Sequence, residues 1–173
     1  MIKVDWAKCT GCRRCEVACA FFHTGRINRQ KSRIKVLNLY ELGLDGPIVC
    51  NQCHERYCMR CPDNAMSLGK NGQVVISPTV CTLCGICEKL CPIGAIEIYD
   101  ELVYVCDLCG GKPKCIEVCS ERAIEFIQQR QAQSPSLSEA FEKTKRKNAS
   151  QKRRWFLKEQ GLKLRKKWSS RHA

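Results

Sequence analysis

The run of cysteines from Cys81 to Cys91 constrains this chain more than any other feature. It reads Cys-Thr-Leu-Cys-Gly-Ile-Cys-Glu-Lys-Leu-Cys and is followed by Pro92. Two residues separate the first three cysteines and three separate the last pair, which is a spacing that holds [4Fe–4S] clusters. The fourth cysteine of such a run ligates a second cluster where two clusters are present. The run therefore predicts a partner run elsewhere in the chain.

The chain contains sixteen cysteines, and they fall into four groups of four with none left over. The quartets, in chain order, are Cys9, Cys12, Cys15 and Cys19; Cys50, Cys53, Cys58 and Cys61; Cys81, Cys84, Cys87 and Cys91; and Cys106, Cys109, Cys115 and Cys119. Four quartets predict four [4Fe–4S] clusters as the cofactors, with all sixteen cysteines as iron ligands.

Structural zinc and disulfides are the alternative uses of so many cysteines. Zinc sites pair two Cys-x-x-Cys motifs a dozen or more residues apart and have no use for a third and fourth cysteine in one run. The N-terminus leads straight into the first quartet without an apolar signal segment, and no stretch of eighteen apolar residues predicts a membrane span. We therefore expect a cytoplasmic protein, whose reduced thiols favour clusters over disulfides.

The second quartet departs from the usual spacing. Only Met59 and Arg60 separate Cys58 from Cys61, one residue fewer than in the other runs of this type. Either Cys61 still reaches the neighbouring cluster, or that cluster lacks a ligand. His54 is the nearest substitute, although a histidine beside a ligand loop is more often a surface residue.

The rule that a fourth cysteine serves the partner cluster predicts how the quartets pair. The second and third quartets are adjacent and form one two-cluster module, which leaves the first and fourth to form the other. On this hypothesis the four ligand sets are Cys9, Cys12, Cys15 and Cys119; Cys106, Cys109, Cys115 and Cys19; Cys50, Cys53, Cys58 and Cys91; and Cys81, Cys84, Cys87 and Cys61.

A repeated pattern of short elements surrounds the quartets. A turn with a small alanine and then an apolar-polar-apolar strand follows Cys61, Cys91 and Cys119, and strands are predicted at 73–76, 102–105 and 33–39. The prediction is an α+β fold over residues 1–127, built from two interleaved bacterial-type two-cluster ferredoxin modules. The inner module, residues 45–100, is inserted into the outer one. So little apolar sequence surrounds each quartet that cluster binding should supply much of the folding free energy.

Residues 128–173 form a basic tail. They contain fourteen Lys and Arg against three Glu, a balance of +11 out of the net charge of +13. A polar linker at 128–136 is followed by a helix start with Ser138 as its cap. Leu157, Gly161, Leu164 and Trp168 then form a narrow face on a basic helix. This face predicts a helical docking tail, the alternative being a solvated, disordered one.

Nothing else in the sequence predicts catalysis. There is no Gly-rich nucleotide loop and no Ser/His/Asp set, so no catalytic residue is assigned. Glu16, Glu88 and Glu117 lie within ligand loops and are interpreted as solvated helix residues. The expected role is non-catalytic: the chain moves electrons and leaves bond chemistry to another subunit.

The quartets, with Cys50-Asn51-Gln52-Cys53 and Cys106-Asp107-Leu108-Cys109, resemble the four-cluster electron-transfer subunits of molybdenum and tungsten oxidoreductases. The chain is most similar to the cytoplasmic small subunits of tungsten aldehyde oxidoreductase and of class II, tungsten-dependent benzoyl-CoA reductase. The resemblance covers residues 1–127. This chain departs from the family pattern in two ways. The Cys58–Cys61 spacing is short, and Ala20 and Ser120 stand where proline often follows the fourth cysteine.

The resemblance implies a subunit docked on a large tungsten-pterin catalytic subunit, with the tail contacting that subunit, a second copy of this chain or a further electron-input subunit. Two other functions remain open. The basic tail with Trp155 and Trp168 would suit a nucleic-acid-binding protein whose clusters are structural, although base-stacking proteins rarely need four clusters. The chain could also be a free-standing polyferredoxin without an obligate partner, and the tail argues against this.

Overall fold

The computed structural model describes residues 1–127 and 136–172, so the expected linker at 128–136 lies outside the described residues except for Ser136. It shows a mixture of short strands with helices of 4 to 24 residues, in agreement with the predicted α+β class. The elements are β1 (Ile2–Val4), α1 (Arg14–Thr24), β2 (Ile34–Leu39), β3 (Leu44–Val49), β4 (Met66–Leu68), β5 (Val74–Ile76), α2 (Ile86–Leu90), β6 (Glu97–Tyr99), β7 (Leu102–Tyr104), α3 (Lys114–Glu117), β8 (Ile124–Phe126), α4 (Ser138–Thr144) and α5 (Ala149–His172).

The first and last strands of the cysteine-rich region pair with each other. β1 runs antiparallel to β8 with Lys3 opposite Glu125. The terminal amino group of Met1 donates to the Ile127 carbonyl at 2.6 Å, and the Ile127 amide donates back at 2.9 Å. This pairing brings the loop before α1 next to the loop before β8, where the first and fourth quartets lie.

Three further antiparallel pairs complete the strand pairing of the described residues: β2 with β3, β4 with β5, and β6 with β7. The predicted strands at 33–39, 73–76 and 102–105 are confirmed as β2, β5 and β7. β3 was not predicted, because Gly46 and Pro47 disfavour a strand in isolation. The six-residue register with β2, in which Val36 faces Pro47, overrides that local preference.

Two apolar clusters form the core. One joins the outer elements β1, β2 and β8 around buried side chains that include Ile2, Ile34 and Ile124. The other joins the inner hairpins to the tail through residues such as Ile48, Ile96 and Leu157. Cysteines belong to both clusters, so the core is built around the thiols.

The helix start predicted near Ser138 is present, but its cap is a different residue. Ser138 is the first residue of α4 and makes no side-chain capping bond to that helix. The Glu55 carboxylate instead accepts hydrogen bonds from the Leu137 amide at 3.1 Å and from the Ser136 hydroxyl. An acidic group from a distant loop thus satisfies the free amide at this helix start.

The first part of the tail packs on the rest of the chain. Phe141 of α4 stacks on Tyr57, with ring centroids 4.1 Å apart. On α5, the Arg153 guanidinium donates to the Gly94 carbonyl at 3.0 Å and to the Glu97 carboxylate at 3.1 Å. Gly94 has φ +64°, and a side chain there would meet the backbone of α5.

Part of the helical face that the sequence predicts as a docking surface is buried against the rest of this chain. Leu157 is fully buried, and Gly161 lies so close to β3 that an added Cβ would be 2.7 Å from Leu44. For these two residues the expectation of a partner surface is wrong, because they face the chain's own β2–β3 hairpin. Trp168, further along, is 65% exposed.

We expect Leu157→Ala to lower the free energy of unfolding by about 2–5 kcal/mol, because it leaves a cavity between α5 and β3. Leu162→Ala, on the same helix but 38% exposed, is the matched control and should cost less than about 1 kcal/mol. Urea denaturation of the iron-loaded protein measures both. Equal midpoints for the two variants would contradict the packing of α5 described above.

No helix among the described residues is both long enough and apolar enough to cross a lipid bilayer.

Candidate metal centres

The same backbone turn occurs inside the first Cys-x-x-Cys loop of every quartet. The residue just before the second cysteine has a positive φ in all four: Gly11 (+68°), Gln52 (+49°), Leu83 (+58°) and Leu108 (+59°). Three of these are not glycine, and a positive φ is costly for such residues. Turns of this kind direct backbone N–H groups into one concave face, which suits an anionic group.

Backbone amides also donate directly to cysteine sulfurs. Three of the acceptors are fourth cysteines of their quartets. The bonds run from Gly11 to Cys9 (3.5 Å), Arg33 to Cys19 (3.3 Å), Ala95 to Cys91 (3.2 Å) and Ala123 to Cys119 (3.3 Å). Hydrogen bonds to sulfur stabilise the thiolate form and are among the features that tune cluster potentials.

Two surface clefts each gather three cysteines of one run and the fourth of another. One is lined by the following thiols: Cys9, Cys12, Cys15 and Cys119. The other is lined by Cys81, Cys84, Cys87 and Cys61. We name these the Cys9 group and the Cys81 group.

The remaining thiols gather in the interior in the same crossed manner. Burial raises the pKa of the Cys115 thiol, and Cys19 is the nearby charge that raises it most. Burial likewise raises the pKa of Cys50, with Cys91 as the strongest neighbouring charge. The Cys106 group comprises Cys106, Cys109, Cys115 and Cys19, and the Cys50 group comprises Cys50, Cys53, Cys58 and Cys91.

The four groups form a series of neighbours, which we call a row. Cys15 of the Cys9 group interacts electrostatically with Cys115 of the Cys106 group. Cys106 interacts with Cys50, and Cys58 of the Cys50 group interacts with Cys87 of the Cys81 group. The two exposed cysteines, Cys12 and Cys84, belong to the two end groups. Each end group of the row thus has an exposed cysteine, whereas the cysteines of the two middle groups are buried or half-buried.

The donor set fits iron–sulfur clusters. Sixteen thiols supply four soft sulfur ligands per group, which suit iron–sulfur clusters or zinc. Burial raises the pKa of Cys15 and of Cys58 to about 12, and that of Cys87 to about 11, so these thiols are neutral at pH 7 without metal. Metal binding must therefore displace their protons.

Cys61 lies in the cleft of the Cys81 group in spite of its short link to Cys58. The segment Tyr57–Met59 is a 3-10 helix, which rises about 2.0 Å per residue against about 1.5 Å in an α-helix. Each residue of this turn therefore covers more length, so three steps reach about as far as four steps of an α-helix. His54, the substitute considered from the sequence, is exposed.

The interpretation of Glu16 as a solvated residue is wrong. It is 2% exposed, and its carboxylate accepts hydrogen bonds from the Val36 amide and from Arg29 Nε, both at 2.7 Å. Burial raises its pKa, and the bond from Val36 opposes that shift. Glu16 therefore attaches α1, which carries two cysteines, to β2.

Glu88 and Glu117, the other two glutamates of the ligand loops, have different surroundings. The Glu88 carboxylate accepts a hydrogen bond from the Ile98 amide at 3.2 Å and joins α2 to β6, so it is not simply solvated. Glu117 is exposed, as the sequence predicts, and its carboxylate pairs with the Lys114 ammonium at 2.9 Å.

His23 lies near the thiols, although nothing in the sequence pattern singles it out. Its Nε2 lies 3.7 Å from the Cys109 sulfur and 3.4 Å from Asp107 Oδ1. Burial lowers the pKa of His23, and the nearby Arg33 acts in the same direction. His23 and Cys109 are 86 residues apart, so only the paired outer elements bring them together.

Comparisons with known proteins agree with the thiol chemistry. A family model described as a 4Fe-4S binding domain matches residues 74–97. The aliphatic sulfonate oxidoreductase, polyferredoxin-like subunit of Pyrococcus furiosus is 44% identical over 118 residues, covering 66% of this chain and 68% of that protein. The probable anaerobic dimethyl sulfoxide reductase chain YnfG of Escherichia coli is 32% identical over 146 residues, covering 71% and 70%.

Among solved structures, a chain of the active site complex BamBC of benzoyl coenzyme A reductase is 28% identical with a TM-score of 0.44. The match covers 72% of this chain and 74% of that one.

Proposed function

This chain belongs to the family of ferredoxin-like, iron–sulfur electron-transfer subunits of oxidoreductases, and from that membership we propose that it binds four [4Fe–4S] clusters in one row. Such clusters supply one-electron transfer. The protein positions them, shields the two inner ones from solvent more than the two outer ones and leaves the reaction itself to a catalytic subunit. The single observation that carries the proposal is the row of four thiol groups with an exposed cysteine at each end.

Each cluster takes three ligands from one run and the fourth from another. The crossed thiol groups support this assignment, because Cys119 and Cys61 line clefts formed by other runs. The electrostatic neighbours of Cys115 and Cys50 support the same crossing for Cys19 and Cys91. The β1–β8 pairing further supports two interleaved two-cluster modules, with the inner one inserted near residues 45–100.

The partner that we propose is a large tungsten-pterin catalytic subunit in the cytoplasm, of the aldehyde oxidoreductase or benzoyl-CoA reductase type. The resemblance of the quartets to the small subunits of those enzymes supports this choice. The name of the Pyrococcus relative supports a second candidate for the substrate of the partner, an aliphatic sulfonate. In each case the present chain would pass electrons between that subunit and a further electron-input subunit.

The second half of α5 is the proposed contact with a partner. Leu157 and Gly161 are committed to the chain's own hairpin, whereas Trp168 is exposed in the middle of basic residues. Lys163, Lys166 and Lys167 are exposed as well. An acidic surface of the catalytic subunit with an apolar recess for Trp168 would complement this segment.

Metal analysis of the complex, purified natively without oxygen, tests the function. We expect about sixteen irons per copy of this chain, since four cubanes hold four irons each, and tungsten in a co-purifying large subunit. Zinc in place of iron would overturn the cluster assignment. Elution of the iron-loaded chain alone at its monomer mass would overturn the subunit role.

The same preparation tests the tail contact. Replacing Lys163, Lys166 and Lys167 by Gln should weaken the complex by about tenfold at low ionic strength, with the iron content unchanged. The control replaces Lys3, Lys70 and Lys147, which are equally exposed. Equal affinities for the two triple variants would remove the tail from the interface.

A further inference from the structure

Lys152 of α5 carries a deeply buried charge of the tail next to one of the inner thiol groups. The residue is 1% exposed, and its ammonium donates to the Lys89 carbonyl near the end of α2. Lys89 precedes Cys91 by two residues. Burial lowers the pKa of Lys152, and the charge of Cys91 is the one that acts most strongly against that shift. The tail therefore places a cation close to a cysteine of the Cys50 group.

This cation has no ion-pair partner among the described residues. The adjacent buried cation, Arg153, pairs with Glu97 at 3.1 Å. Lys152 makes only its hydrogen bond to a carbonyl, and Glu88, the one carboxylate that acts on it from a distance, has a smaller effect than Cys91. A buried charge without an opposite charge beside it is costly. The position of Lys152 thus indicates a missing anion.

Attachment of this segment alone does not require a charge. Thr144 of α4 is fully buried, and its hydroxyl donates to the Pro92 carbonyl at 2.9 Å, one residue beyond Cys91. A neutral donor therefore holds the same loop from the other side. The positive charge of Lys152 needs a separate explanation.

A ligated cluster in the Cys50 group would be that anion. Its four thiolates outweigh the positive charge of the iron–sulfide core, and reduction adds one more negative charge. A buried cation nearby stabilises the more negative state, and so it raises the reduction potential of the cluster.

We propose that Lys152 is the counter-charge of the cluster held by the Cys50 group and raises the reduction potential of that cluster. The inference rests on the proposed function, because it requires the clusters to be bound. It gives the tail two separate tasks. The buried start of α5 sets the electron affinity of one step in the row, and the exposed second half remains free for a partner.

Redox titration followed by electron paramagnetic resonance of the iron-loaded protein tests the proposal. Lys152→Met and Lys152→Gln both remove the charge, and Gln keeps a donor for the Lys89 carbonyl. We expect each to lower the equilibrium constant for reduction of the Cys50-group cluster about tenfold, equivalent to about 59 mV for one electron. Lys152→Arg keeps the charge and should change that constant less than about twofold. The cluster is identified by its absence from Cys53→Ala.

Two control variants separate the charge from its surroundings. Lys158→Met removes the same charge from an exposed position on the same helix. Thr144→Val removes the hydrogen bond to the Pro92 carbonyl without changing any charge. Neither should change the equilibrium constant more than about twofold. A shift in Thr144→Val as large as that in the neutral Lys152 variants would assign the effect to the position of the loop, against the proposal.

Iron content distinguishes failure of this inference from failure of the proposed function. About sixteen irons with an unchanged potential in both neutral variants would overturn the counter-charge and leave the row of clusters intact. If both neutral variants lose the Cys50-group cluster, its retention in Lys152→Arg supports the charge. Loss from all three would show that Lys152 only fills space, and the proposal would be wrong. Absence of iron from the unmodified chain would instead overturn the proposed function, and this inference with it.

Discussion

Replacing Cys119 and Cys12 together by alanine should remove one cluster, about four irons per chain, whereas replacing Cys119 and Cys109 together should remove two, about eight irons. The reason is the crossing of the quartets. Cys119 belongs by sequence to the run of Cys109, but its thiol lines the cleft of the Cys9 group with Cys12. Two substitutions at one cluster cost no more than one, while substitutions at two clusters add.

Iron analysis and electron paramagnetic resonance of the reduced variants measure the number of clusters that remain. The single variants Cys119→Ala, Cys12→Ala and Cys109→Ala are the matched controls, and each should lose one cluster. If each run closed on its own cluster, the two double variants would exchange their results: Cys119 with Cys109 would lose four irons and Cys119 with Cys12 eight. That reversal would refute the crossed ligation.

The second and third quartets provide a second, independent set of double variants. The double variant Cys91→Ala with Cys53→Ala should again remove one cluster. The double variant Cys91→Ala with Cys84→Ala should remove two clusters. These thiols lie deeper, with Cys91 buried in the core cluster that includes Ile93 and Ile96. We therefore expect the Cys91 variants to lose more stability than the Cys119 variants, whose cleft is at the surface.

The parts of this fold that the sequence predicts are those in which local pattern and ligand chemistry agree. The cysteine spacings identify the quartets without any structure, because a cluster limits how its ligands can be spaced. The strands at 73–76 and 102–105 were likewise predictable from their apolar residues and the turn residues beside them. Even the helical part of the tail, from Ser138 onward, follows from its pattern.

What the sequence does not predict depends on contacts between distant segments. Glu16 looks solvated because it stands between cysteines in a polar loop, and its partner Val36 is twenty residues away. Leu157 looks like part of a partner surface because its helix is so basic, yet β3 covers it.

Anaerobic removal of iron should abolish the cooperative unfolding transition of the whole chain. Six of the strands around the quartets are three residues long, and isolated pairs of this length are not stable in water. The core clusters include cysteines such as Cys58 and Cys115 in place of larger apolar residues, so the thiols and what they bind fill the interior. Metal binding then supplies folding free energy that the apolar contacts lack.

Helix α5 makes this prediction specific. With 24 residues, α5 is the longest helix among the described residues, and it is strongly basic. Its helical structure depends on the packing of Phe156 and Leu157 into the inner core cluster. When the inner hairpins unfold, that packing is lost, so far-ultraviolet circular dichroism should lose most of its helical signal together with the strands. Adding iron and sulfide back under reducing conditions should restore the spectrum, and zinc alone should not. An apo-protein that keeps its helical signal and unfolds in urea with the slope of the loaded protein would show that the polypeptide folds without its clusters.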